Sequence, residues 1–95
     1  MTDISADCTD SGHVAVGPFI IGVVITPTTA DNTDTIDLGT LLGLNKAVTI
    51  KFAKGMRENG SSIADELVSW ATDTLTIRGS TSDKEREIFY VATST

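Results

Sequence analysis

Cys8 and His13 are the only thiol and the only imidazole in the chain, close enough in sequence to raise the question of a nucleophile and its base. Such a pair works only when both groups are held at hydrogen-bond distance on a rigid frame and a third group orients the base. Both fall in a polar opening segment with no hydrophobic period, so no catalytic role is expected of them. A second candidate is Asp31-Asn32-Thr33-Asp34-Thr35-Ile36-Asp37, whose crowded carboxylates would offer hard oxygen ligands to calcium. It departs from the EF-hand pattern, because Ile36 stands where the loop requires glycine and Leu42 where it requires glutamate. Asp and Asn are also the residues of any polar turn, and turn chemistry is the reading taken. Gly17, Gly22, Gly39 and Gly43 match neither a dinucleotide fingerprint nor a phosphate loop. No Gly-x-Ser-x-Gly surrounds Ser61 or Ser62. The sequence predicts no enzyme, no metal and no cofactor.

Charge carries more information. The net charge is −6, and no Lys or Arg precedes Lys46, whereas Asp3, Asp7, Asp10, Asp31, Asp34 and Asp37 all do. From Lys46 onward seven acidic residues balance seven basic ones. An acidic first half repels phosphate backbones and anionic lipid, so neither nucleic acid nor a membrane surface is an expected partner. It suits solubility, and it would dock on a basic protein surface. The run Lys84-Glu85-Arg86-Glu87 alternates in sign and reads as a solvated strand edge. Trp70, the single tryptophan, is expected in the core ahead of exposure at a carbohydrate or subunit interface.

The elements that would position these residues are strands. With 95 residues there is room for one modest core. Threonine occurs fifteen times, often beside Val or Ile, and β-branched residues fit a pleated surface better than a helix. Residues 1–13 are polar and aperiodic and read as a flexible acidic arm on a single β domain over 14–95. Residues 19–26 form a nearly continuous apolar run opened by Gly17-Pro18 and closed by Pro27, as in a strand buried on both faces. Residues 28–35 make a loop, 35–38 a short strand, and 39–44 a single helical turn that the glycines keep short. In residues 46–53, Val48, Ile50 and Phe52 alternate with polar neighbours. The stretch 54–62 is taken as a loop. Residues 63–70 fit a capped helix or a strand, and the strand is preferred because eight residues make a marginal helix. Leu75 and Ile77 point inward from 73–78, which is read as a hairpin with a last strand over 87–92 through a turn at 79–84. The expected core is Phe19, Ile21, Val23, Ile25, Val48, Ile50, Phe52, Leu75, Ile77, Ile88 and Tyr90. The fold class is mainly β: a small antiparallel sandwich or barrel of about six to seven strands with at most one short helix.

Over residues 14–92 the chain resembles the small β-rich decoration (cement) and minor structural proteins of tailed phages and related viruses. The resemblance lies in Gly17-Pro18-Phe19-Ile20-Ile21-Gly22, in the segment from Thr26-Pro27 to Asp37-Leu38, and in Thr74-Leu75-Thr76-Ile77 with its following Gly-Ser-Thr turn. It implies a virion protein, made in the host cytoplasm, that binds the outside of an assembled capsid and bridges capsomers. The implied partners are the major capsid protein and further copies of itself, trimers among the possibilities. It carries no catalytic residues. A contribution to docking is expected from Asp3, Asp7 and Asp10 in the acidic arm. The alternatives are a tail or head–tail connector component and a carbohydrate- or host-surface-binding module using Trp70 and Tyr90. The lone Cys8 and the acidic N-terminus, with no basic leader, fit a reducing compartment.

Overall fold

The apolar runs and polar turns fold into two antiparallel sheets packed face to face. The computed structural model describes residues 2–43, 48–78 and 84–94. A 3₁₀ turn at Ser5–Asp7 leads into β1 (Thr9–Val16) and β2 (Phe19–Ile25). Then come β3 (Thr35–Asp37), α1 (Leu38–Leu42), β4 (Val48–Asn59), β5 (Ser62–Glu66), β6 (Val68–Ala71), β7 (Thr74–Ile77) and β8 (Glu87–Ser94). The large sheet has the order β1-β2-β8-β4-β5 and the small sheet β3-β7-β6. The expected sandwich with one short helix is what forms. The helix is capped as its sequence requires: the Asp37 carboxylate accepts from Thr40 N, and Gly43 ends it at φ 65°.

Register shows which face of each strand is inside. Across the large sheet, Ile20 pairs with Ala92 and Ala92 with Ile50, while Gly22 pairs with Tyr90 and Tyr90 with Ala53. Ile20, Ile50, Ala53, Tyr90 and Ala92 are all buried. Opposite them the small sheet contributes Ile36, Val68, Leu75 and Ile77, with Leu38 from α1. Val48, Ile50, Leu75, Ile77, Ile88 and Tyr90 are therefore core as read from the sequence. Phe19, Ile21, Val23 and Ile25 are not: β2 turns its other face inward. The reason is the fit at Gly22, where a Cβ would stand 2.6 Å from the Tyr90 hydroxyl. Only glycine lets that ring lie under β2. Phe52 is likewise outside, because a β-bulge sets Lys51 and Phe52 against one residue of β8 and reverses the alternation.

Four further readings are corrected. Residues 54–62 are not a loop but the second half of β4 and a hairpin, Asn59 pairing with Ser62 across a two-residue turn. Gly60 takes φ 66°, the requirement of the first central position of a type II′ turn. β7 and β8 do not pair with each other, since β7 lies between β3 and β6 and β8 between β2 and β4. Of the turn expected at 79–84, residues 79–83 lie outside the described residues, as do residues 44–47. The opening segment is laid along the small sheet: Ile4 N donates to Thr35 O at 2.8 Å, Thr35 N to Thr2 O at 2.8 Å, and Ile4 is buried. From Thr9 the chain is already strand β1. A polar sequence can follow an edge because its backbone groups find partners there, whatever its side chains prefer. Finally, Arg86 is no solvated edge charge but fully buried.

Candidate functional site

The acidic residues singled out from the sequence stand on different elements. Asp3 bridges to Thr35 and accepts from Ser5 N and Ser5 Oγ, bonds that hold its carboxyl below the usual carboxylate range. Asp7 ends the 3₁₀ turn and is exposed. Asp10 sits in the β1 bulge, where its carboxylate accepts from Gly12 N at 3.1 Å and faces His13 Nδ1 at 2.7 Å. These carboxylates do not converge on one point. With Asp31, Asp34 and Asp37 around β3, however, all of the first-half acids except Asp10 lie in the layer of the small sheet.

The His13–Asp10 pair orients an imidazole, but no activated nucleophile accompanies it among the described residues. Burial, followed by the charges of Asp7, Asp3 and Asp34, pushes the Cys8 thiol up to about 12. A thiol so raised is almost wholly protonated at neutral pH and is a poor nucleophile. In the Asp31–Asp37 segment, Asp34 accepts from Asp31 N at 2.9 Å and Asp37 caps α1. Both are committed to local turn and cap chemistry. Among the described residues no cluster of three His, Cys, Asp or Glu side chains is disposed to hold a metal.

Uncovered apolar side chains gather on the outer face of the large sheet. Strand pairing sets Val14, Ile21, Val91 and Phe52 in one row across β1, β2, β8 and β4. Val16 and Phe19 extend it on one side, Val23 and Phe89 on the other. Val14 is 60% exposed and Phe52 46%, while Ile21, Val23, Phe89 and Val91 are half-buried by one another. β5 pairs only with the Gly55–Asn59 end of β4, so the Phe52 end of β4 has no strand beside it there. Phe52 lies edge-on to Phe89 at 6.3 Å and to the exposed Trp70 at 6.2 Å, so aromatic surface continues round this rim. The bulge beneath is fixed by Ile50 N donating to Thr72 O, a bond between the two sheets. Trp70 is thus exposed, not core. Plain alternation in β4 points to Phe52 as core. The bulge that reverses it has no signature in the residues themselves.

Two buried polar groups lie behind this face. Arg86 approaches Glu66 Oε1 through Nε at 3.2 Å and Nη2 at 3.1 Å, and its Nη1 donates to Ala30 O and Lys84 O. Arg57 Nε reaches the other oxygen of Glu66 at 3.1 Å. The second group is the Tyr90 hydroxyl, which has no hydrogen-bond partner among the described residues. Burial, with a smaller contribution from Asp10, pushes it up to about 12. Removing a buried hydroxyl that makes no bond removes a desolvation cost. Tyr90→Phe is therefore expected to gain about 1 kcal/mol, seen as a Tm rise of roughly 4–8 °C in calorimetry. A lowered Tm would show that the hydroxyl is satisfied.

No protein-family model matches the chain, and no curated protein or solved structure matches it significantly.

Proposed function

We propose that the chain is a virion structural protein, a capsid decoration protein that binds the outside of the assembled shell and reinforces it by bridging capsomers. The observation that supports this reading is the separation of two surfaces: an acidic layer around β3 and a bare apolar face on the opposite side of the sandwich. A reinforcing subunit needs two binding surfaces and no reaction centre, since its work is to add buried area between neighbours and so raise the free energy needed to part them. The acidic layer, with Asp3 and Asp7, suits a basic capsid surface, while Asp10 stands apart on β1 with its carboxylate held by Gly12 N and His13. The sugar-binding alternative fares worse, because Tyr90 is fully buried and offers no ring beside Trp70.

The test is to add the protein to shells lacking it and measure occupancy across a salt series. Binding through exposed carboxylates is expected to weaken as salt rises, because such pairs are screened beyond about 8–10 Å at physiological ionic strength. Asp7→Asn is the variant of choice, because removing residues 1–13 would also take away the buried Ile4 and the Ser5 hydroxyl to which Asp37 N donates at 2.7 Å. Lower occupancy for Asp7→Asn supports the acidic layer as the docking surface. No binding by the unaltered chain would sink the decoration reading and promote a tail or connector component.

A further inference from the structure

We infer that the outer face of the large sheet is covered by the same face of a second copy of this chain, in a twofold sheet-on-sheet dimer. The row Val14–Ile21–Val91–Phe52 places an apolar stripe across four strands with no charged residue in it, and charge enters only at its β4 edge, where Lys51 shares the bulge and Lys54 ends the neighbouring Val23–Phe89 row. Soluble monomers rarely leave a contiguous apolar surface of this extent uncovered, and such surfaces mark protein interfaces.

Size and charge together identify the occupant. Four strands spaced about 4.8 Å apart span roughly 19 Å, and a seven-residue strand runs roughly 23 Å, so the face of β1, β2, β8 and β4 projects roughly 440 Å². Side-chain relief raises the accessible area above that projection, towards the roughly 800 Å² per partner of a standard stable interface. Two sheets of this kind pack face to face at about 30°, the angle their own twist sets. The net charge of −6 would oppose most encounters between copies. Its excess lies in the first half, where all the acids but Asp10 sit in the small-sheet layer. Copies meeting by their large sheets therefore turn their acidic layers away from each other. A basic partner would select the acidic layer, not this face. A twofold contact also buries the same patch on both copies, so one exposed face suffices.

This inference rests on the assembly role proposed above, but its test uses the purified chain without any shell, so the two readings fail separately. Sedimentation equilibrium of the full chain at roughly 100 µM is expected to give the mass of a dimer, the concentration lying well above a micromolar Kd. Phe52→Glu puts a charge on the aromatic rim and is expected to weaken dimerisation roughly 30-fold or more, the loss typical of an interface hot spot. Val14→Lys, at a site already exposed, serves should Phe52→Glu fail to fold, with far-UV circular dichroism reporting the fold of each. A monomer at that concentration overturns the inference. So does a dimer unchanged in a folded variant. A monomeric chain whose folded Phe52→Glu variant loses occupancy on shells would assign the face to the capsid and equally overturn it.

Discussion

Glu66→Ala is expected to destabilise the domain by about 3–5 kcal/mol, read as a lowered midpoint in urea denaturation. Glu66 is 5% exposed and stands between two guanidinium groups, Arg86 at 3.1 Å and Arg57 at 3.1 Å. Arg86 is itself wholly buried, so the substitution takes the Glu66 carboxylate from a cation that water cannot reach. A charge in that position costs several kcal/mol when a facing charge is removed. The same network closes one end of the sandwich. Arg86 N donates to Thr26 Oγ1 and Thr26 N to Arg86 O, joining the end of β2 to the entry of β8, while Nη1 holds the carbonyl of Ala30. Domains of this kind are stable by only about 5–15 kcal/mol, so the expected loss is a large share of the total. The paired change Glu66→Leu with Arg86→Met is expected to cost much less, because it removes both desolvation costs along with the attraction. A single-site loss under about 1 kcal/mol would mean that the remaining partners of Arg86 are sufficient.

What the sequence discloses here depends on whether a property is local. The alternation in β7 places Leu75 and Ile77 inward without help from the rest of the chain, and the glycines around α1 keep it to one turn and a half. The Gly60-Ser61 pair is equally local and makes the two-residue turn of the β4–β5 hairpin. By contrast, the run Phe19–Ile25 is apolar on both faces, and its pattern holds no information about which face is inside. That choice is made by Gly22 meeting Tyr90, residues far apart in sequence. Arg86 has the same origin: within Lys84-Glu85-Arg86-Glu87 nothing distinguishes it from its neighbours. Only the corner where β5 passes into β6 brings Glu66 beneath it. The apolar outer face follows from both reversals, in β2 and at the β4 bulge, which is why the sequence shows the acidic layer and hides the face opposite.

Ile50→Ala and Phe52→Ala make the sharpest test of that reversal, since plain alternation assigns both residues to the core. Ile50 is 3% exposed, in a row with Ala92 and Ile20 facing the small sheet. Truncating it leaves a cavity that neighbouring strands cannot close, and the expected loss is about 2–5 kcal/mol. Phe52 lies two residues on, past the bulge, with 46% of its surface exposed, Val91 opposite it and the rings of Phe89 and Trp70 edge-on to it. Its truncation in the monomer forfeits those aromatic contacts and part of its burial, about 1–2 kcal/mol. The measurement is urea denaturation at chain concentrations low enough to dissociate any dimer, because a ligand or partner bound only to the folded state adds its own stabilisation. Losses in that order place the bulge where the Ile50–Thr72 hydrogen bond fixes it. Equal large losses would return Phe52 to the interior, restore the simple alternation, and leave the outer face without its aromatic rim.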